Sequence, residues 1–243
     1  MSEWAPKRFW TAAETIEIEN GFSVTLDGRN VRTPAKTPLI VPTRALADAI
    51  AQEWQAQDDK IDPATMPFTR MSNSALDKVA TQFDEVADML AAYGDADLLC
   101  YRAESPAELA TRQAEKWDPV LDWAEETLDA RLEPRTGIMH APQDGEVLAG
   151  LTAKVHQFTP FQLAAFHDLV SMTGSLILGF AATYRLHDAE TLWDLSRLDE
   201  AWQEEQWGED EEATELANRK KSELVFAELF YRLASATEEN KDL

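Results

Sequence analysis

Thr15-Ile16-Glu17-Ile18-Glu19-Asn20-Gly21-Phe22-Ser23-Val24-Thr25-Leu26-Asp27-Gly28 decides the fold class. Residues 15–19 and 22–26 each alternate in side-chain character, and Asn20-Gly21 between them is a strong hairpin turn. Asp27-Gly28 is a second turn. Residues 29–33 and 39–41 extend the pattern to a small antiparallel meander, with Pro34, Pro38 and Pro42 at its boundaries. The period then changes from two to 3.6. Thr43 is placed to cap a helix over residues 44–57, and Leu46, Ala47, Ile50, Ala51 and Trp54 fall on one stripe of it. A helix laid on a small sheet is an α+β unit.

Residues 61–67 read as a proline-bounded loop, after which the strand pattern scarcely returns. The expected division is an N-terminal α+β domain over residues 1–75 and a larger all-helical domain over 76–243. Helices are predicted at 75–92, 107–130, 145–157, 160–184, 189–206 and 211–236. Ser105-Pro106-Ala107-Glu108 and Thr159-Pro160-Phe161-Gln162 each offer a cap, a proline at the first helical position and an acid or amide at the third. Residues 163–182 are apolar nearly all round, with Gly174, Ser175 and Gly179 admitting close neighbours, as expected of the central helix of a bundle.

The 243 residues allow one large domain or two modest ones, and 44% hydrophobic with 28% charged residues is a composition that folds. A formal charge of −23, from 45 acidic against 22 basic side chains, repels nucleic acid and anionic membrane. It favours a partner carrying basic or polar patches and discourages self-association, so a monomer with a hetero-partner is expected. The single cysteine, Cys100, permits neither an intrachain disulfide nor a cysteine zinc site, and in its apolar surroundings reads as a small buried thiol. Residues 1–8 lack the marks of a secretory or organellar leader. The longest uncharged apolar stretch, 169–184, is shorter than the ~20 residues that span a bilayer.

Phosphate-binding glycine loops, Gly-x-Ser-x-Gly, His-Glu-x-x-His and EF-hand patterns are all missing, so no cofactor, metal or catalytic site is expected. His167 and His187 each precede an aspartate, but adjacent helical residues point apart, and these two read as structural or surface histidines, as do His140 and His156. The densest charge run, residues 203–212, is a solvated helix end or an acidic contact surface carrying Trp207. Eight tryptophans are many for this length, and partly exposed tryptophan beside charge is a favoured interface anchor.

Several short motifs recur in a fixed order. They are Arg8-Phe9-Trp10, residues 21–29, Val31-Arg32-Thr33-Pro34, Glu53-Trp54-Gln55-Ala56-Gln57 and Thr65-Met66-Pro67. Further on come residues 97–102, Trp117-Asp118-Pro119, Asp122-Trp123-Ala124, Ser196-Arg197-Leu198 and Gln206-Trp207-Gly208. This set resembles the ATP12 family of ATP synthase assembly chaperones, over about residue 8 to beyond 208.

The resemblance implies a small N-terminal α/β domain before a larger helical one, no enzymatic activity, and a partner: the free alpha subunit of the synthase's F-one head, shielded until it meets the beta subunit. Carried over by position, the family's Glu-Trp tryptophan is Trp54, and the acids after Ser-Arg-Leu are Asp199 and Glu200. Where the family continues with acid and tyrosine, this chain has Ala201 and Trp202. Glu200, Glu204 and Trp207 lie near one helical face, so the expected partner-binding set is Trp54, Asp199, Glu200, Trp202, Glu204 and Trp207. Eukaryotic members carry a mitochondrial import leader, and this sequence reads as a bacterial, cytoplasmic member. The competing readings are a small-molecule enzyme using carboxylates or histidines in a cleft of the helical domain, and an acidic mimic of nucleic acid.

Overall fold

The computed structural model describes residues 7–235, so Trp4 lies outside the described residues. The fold is α+β: a small N-terminal antiparallel sheet followed by a mostly helical region. The chain divides into two compact units. One holds the described residues up to Phe83 together with Thr159–Ala164 and those from Phe230 on; the other holds Asp84–Phe158 and Ala165–Leu229.

In the first unit β1 (Ala13–Ile18) pairs with β2 (Gly21–Leu26), Ala13 opposite Leu26 and Ile18 opposite Gly21. The two-residue loop is therefore Glu19-Asn20, one position before the predicted turn. Gly21 serves another purpose. It has a φ of +136°, and a Cβ on it would come within 2.5 Å of the Val41 carbonyl oxygen, so only glycine lets the neighbouring strand approach. The second turn forms as predicted: Asp27 and Gly28 both have positive φ and return the chain to β3 (Arg29–Asn30), opposite Thr25 and Leu26.

β4 (Ile40–Val41) pairs with Phe22 and Ser23, on the same edge of β2 as β3. The predicted meander is thus shorter than expected. Between β3 and β4 the chain folds on itself, Val31 N–H donating to Val24 O and Leu39 N–H to Val31 O. The turn at Thr33 and Lys36 is held by Asp77, whose carboxylate accepts from the Thr33 hydroxyl at 2.8 Å and from Ala35 N–H.

α1 (Arg44–Gln55) starts where the period changes. The Thr43 hydroxyl accepts from Leu46 N–H and donates to Leu233 O at 2.6 Å, while Leu46, Ala47 and Ile50 are fully buried. α2 (Pro67–Asp77) begins inside the segment read as a loop. Pro67 occupies its first turn rather than ending a preceding element, and the Glu53 carboxylate accepts from Phe68 N–H, Thr69 N–H and the Thr69 hydroxyl. A 3-10 turn at Val79–Thr81 separates α2 from α3 (Phe83–Ala91), where one helix over 75–92 was predicted.

The second unit is built on α4 (Ala107–Leu128), α5 (Gly145–Val155), α7 (Leu176–Thr183), α8 (Ala189–Ser196) and α9 (Leu198–Trp207), with most of α6 (Pro160–Thr173) and α10 (Glu211–Ser235). α6 has the predicted start: Thr159 accepts from Gln162 N–H through its hydroxyl, and Gln162 accepts from Thr159 N–H. α4 instead starts from Pro106, with no side-chain cap from Ser105. A short parallel pair, β5 (Tyr101–Arg102) with β6 (Arg135–Thr136), was not predicted.

The single helix expected over 160–184 is two helices. Gly174 adopts a left-handed φ of +68°, and Ser175 caps α7 through Leu178 N–H. Asp97, completely buried, completes the break by accepting from Ile177 N–H in the first turn of α7 and from Leu99 N–H in its own turn, both at 3.0 Å. The expectation for Gly179 holds, since a Cβ there would lie 2.6 Å from Val170 Cγ2 and 3.1 Å from the Phe166 ring. Phe158, Phe166 and Phe180 form a tight ring cluster in this core.

Candidate partner-binding site

Five of the six expected site residues lie on α9. The helix expected over 189–206 breaks at Arg197, whose backbone ends α8 and begins α9. Its guanidinium reaches forward to Glu204 at 3.2 Å and Glu200 at 3.6 Å, and lies 5.7 Å from the centre of the Trp193 ring. Two neighbouring residues of α4 hold the opposite side. Gln113, buried, donates to Asp199 at 2.7 Å and accepts from Ala103 N–H, while Arg112 bonds Glu205 at 2.7 Å and lies 4.7 Å from the centre of the Trp202 ring. The Glu205 bond pulls that carboxyl below its usual range and pushes Arg112 up, an effect that water and salt screen at this exposed position.

These bonds divide the α9 residues into two sets. Asp199, Trp202 and Glu204 are half-buried and committed to Gln113, Arg112 and Arg197, so Asp199 is less free than its place in the sequence suggests. Glu200 is half exposed, and Trp207, at the end of the helix, is 80% exposed. Glu209, Asp210, Glu211 and Glu212 follow. Asp210 caps α10 through Ala213 N–H, and Glu211 and Glu212 lie in the first turn of α10, where its dipole favours negative charge. The result is a helix end that exposes one large aromatic ring and is followed at once by four carboxylates.

Several of the groups that could support catalysis are engaged elsewhere. Burial pushes the Cys100 thiol up to about 12, with Asp97 adding to the rise, so it carries no thiolate at neutral pH. Contrary to expectation, His167 does bond its neighbour Asp168, at 2.9 Å, and that bond raises the imidazole's pKa. Asp188 caps α8 through Thr191 N–H at 2.7 Å. A cleft of about 260 Å³ in the helical unit is lined by four carboxylates, of which Asp118 pairs with Arg102 and both Glu125 and Glu133 with Arg131. Among the described residues no group of three or more His, Cys, Asp or Glu is arranged to hold a metal ion, and no helix is long and apolar enough to cross a membrane.

Residues 7–125 match the family model for ATP12 chaperone protein. Over the whole chain the likeness extends further. Atp12 from Paracoccus denitrificans has a crystal structure of 50% sequence identity and TM-score 0.93, covering 96% of this chain and 100% of that one. The chain belongs to the ATP12 chaperone family. A solved Agrobacterium tumefaciens protein is also similar, with 42% identity and TM-score 0.86, the match covering 93% of this chain and 85% of that one. Mitochondrial protein atp12 of Schizosaccharomyces pombe is 29% identical over 225 residues, 87% of this chain and 77% of that protein.

The sixth expected residue, Trp54, belongs to the other unit of this ATP12 family member. It is half-buried, with its ring 5.2 Å from that of Trp10 in an edge contact, and Phe9 in turn meets Trp10 at 5.2 Å. The indole N–H groups of Trp10 and Trp54 are buried with no hydrogen-bond partner among the described residues. Trp54→Ala is expected to lower the unfolding free energy by ~2 to 3 kcal/mol, less than for a fully buried tryptophan, as read by urea denaturation. The residues that sequence reading missed are Arg112, Gln113 and Arg197, which fix α9. Only Arg197 gave a signal, as part of the Ser-Arg-Leu motif.

Proposed function

We propose that this chain is an ATP synthase assembly chaperone that holds the free alpha subunit of the F-one head until the beta subunit replaces it, with the end of α9 as a contact surface. On this reading it works without catalysis or cofactor, as a cytoplasmic monomer. The observation that carries the contact assignment is Trp207, 80% exposed at the tip of a helix braced by Arg112, Gln113 and Arg197. A large ring held in water by a rigid scaffold, beside carboxylates, has the makeup of an interface anchor with a charged rim. Family membership supports the chaperone class, and the paired carboxylates of the cleft give the enzyme reading no support.

Co-expression with the alpha subunit followed by native mass spectrometry tests the reading. A one-to-one complex is expected, and failure to form any complex, with alpha-subunit solubility unchanged, would refute it. Glu200→Lys should weaken capture about tenfold, mainly through slower association at low salt, with the melting temperature nearly unchanged because Glu200 is half exposed. A variant that unfolds at lower temperature in proportion to its lost binding would make Glu200 structural instead.

A further inference from the structure

Ile138 and Met139 are 92% and 80% exposed. Scattered apolar side chains on a surface are ordinary. Two consecutive ones, at the tip of a loop tied down at its base, are not. Gly137 N–H donates to Arg102 O at 2.8 Å. The Arg135 guanidinium donates to the carbonyls of Ala141 and Pro142, and His140 meets Tyr101 Oη at 3.2 Å and Asp95 at 3.3 Å. Gly137 itself has a φ of +85°, and a Cβ there would lie 2.5 Å from Glu104 Oε1, so the bend at the start of the loop requires glycine.

The backbone is thus ordered by polar bonds while its two largest apolar side chains bury almost nothing. Such a loop loses little conformational freedom when those side chains are covered, which makes it a preorganised knob for a pocket on another molecule. Charge decides which molecule. Glu104 lies against Gly137, Asp95 holds His140, and Asp144 follows at the cap of α5, whereas the Arg135 guanidinium is engaged by carbonyls. A second copy would bring the same acids to the same contact, and an anionic membrane would meet a chain of net charge −23. An apolar pocket rimmed by lysine or arginine on a client protein meets no such repulsion.

We infer that Ile138 and Met139 form a second client-docking point, inserting into a basic-rimmed apolar pocket of the alpha subunit. This inference rests on the chaperone reading above. The test compares capture of the alpha subunit by the wild-type chain and by Ile138→Ser/Met139→Ser. The double variant should melt with the wild type, since neither side chain packs on the core, and should bind at least tenfold more weakly. Glu104→Lys should slow association several-fold at low salt, with the difference fading as salt rises. A benzophenone side chain placed at position 139 of the otherwise unchanged chain should cross-link to the alpha subunit.

Capture by the wild type with an undiminished double variant, or no adduct from position 139, overturns this inference and leaves the chaperone reading standing. A wild-type chain that captures no alpha subunit removes both. A wild-type dimer that the double variant dissolves, or vesicle binding that it abolishes, would assign the knob to another occupant and overturn the inference.

Discussion

Asp97→Ala is expected to lower the unfolding free energy by ~3 to 5 kcal/mol, the sum of two orphaned backbone donors at ~1 to 3 kcal/mol each and the space left by the side chain. The donors are Leu99 N–H and Ile177 N–H, both bonded to the completely buried carboxyl. Urea unfolding followed by circular dichroism should show an earlier midpoint at unchanged slope. The same group makes stability depend on pH. Burial pushes Asp97 up to about 6, against the pull of bonds from Ile177, Ser175, Leu99 and Leu176, which favour the charged form. The folded chain therefore keeps a proton that the unfolded chain gives up near pH ~4. Stability from that proton is complete below the unfolded value and is lost as pH rises through about 6, ~3 kcal/mol in total. Asp97→Asn should flatten this part of the profile, and an unchanged pH slope would show that Asp97 does not titrate there.

Trp117→Ala should cost ~3 to 5 kcal/mol, because the ring is fully buried and its removal leaves a cavity the size of an indole. Trp117 lies on α4, one turn after Arg112 and Gln113, and its indole N–H donates to Leu195 O at 2.9 Å, just before the corner between α8 and α9. The Arg102 guanidinium also lies 5.3 Å from the ring centre. Trp117→Phe separates the two contributions: most of the packing remains, the bond to Leu195 O is lost, and ~1 to 2 kcal/mol is the expected cost. If α4 positions the α9 end, the phenylalanine variant should also lose partner capture at temperatures where it remains folded. Undiminished capture would show that α9 keeps its place without this bond.

The parts of the fold legible in the sequence are those fixed by near neighbours. The β1–β2 alternation, the Asp27-Gly28 turn, the Thr43 cap and the Thr159–Gln162 box each involve residues a few positions apart. What could not be read depends on distant partners. The apolar period runs unbroken through Gly174, and the break there is completed by Asp97, 80 positions from Ile177. Nothing local puts β4 beside β3 on one edge of β2, or β5 beside β6.

The candidate site follows the same division. The acidic run and Trp207 are visible in the sequence as composition. Which carboxylates are tied down is not, since Gln113 and Arg112 reach Asp199 and Glu205 across 86 and 93 positions. The neighbour rule failed at His167, whose Nδ1 meets the next residue's carboxylate at 2.9 Å.

The Thr43 hydroxyl that begins α1 donates to Leu233 O, 190 positions later. The first unit is therefore incomplete until residue 233 has been made. At a synthesis rate of roughly 5 to 20 residues per second, that is a wait of about 10 to 40 seconds. During this time the hairpin and α1 have emerged from the ribosome without the segment that closes them. Cut short near residue 83, this chaperone would be expected to need protection of its own.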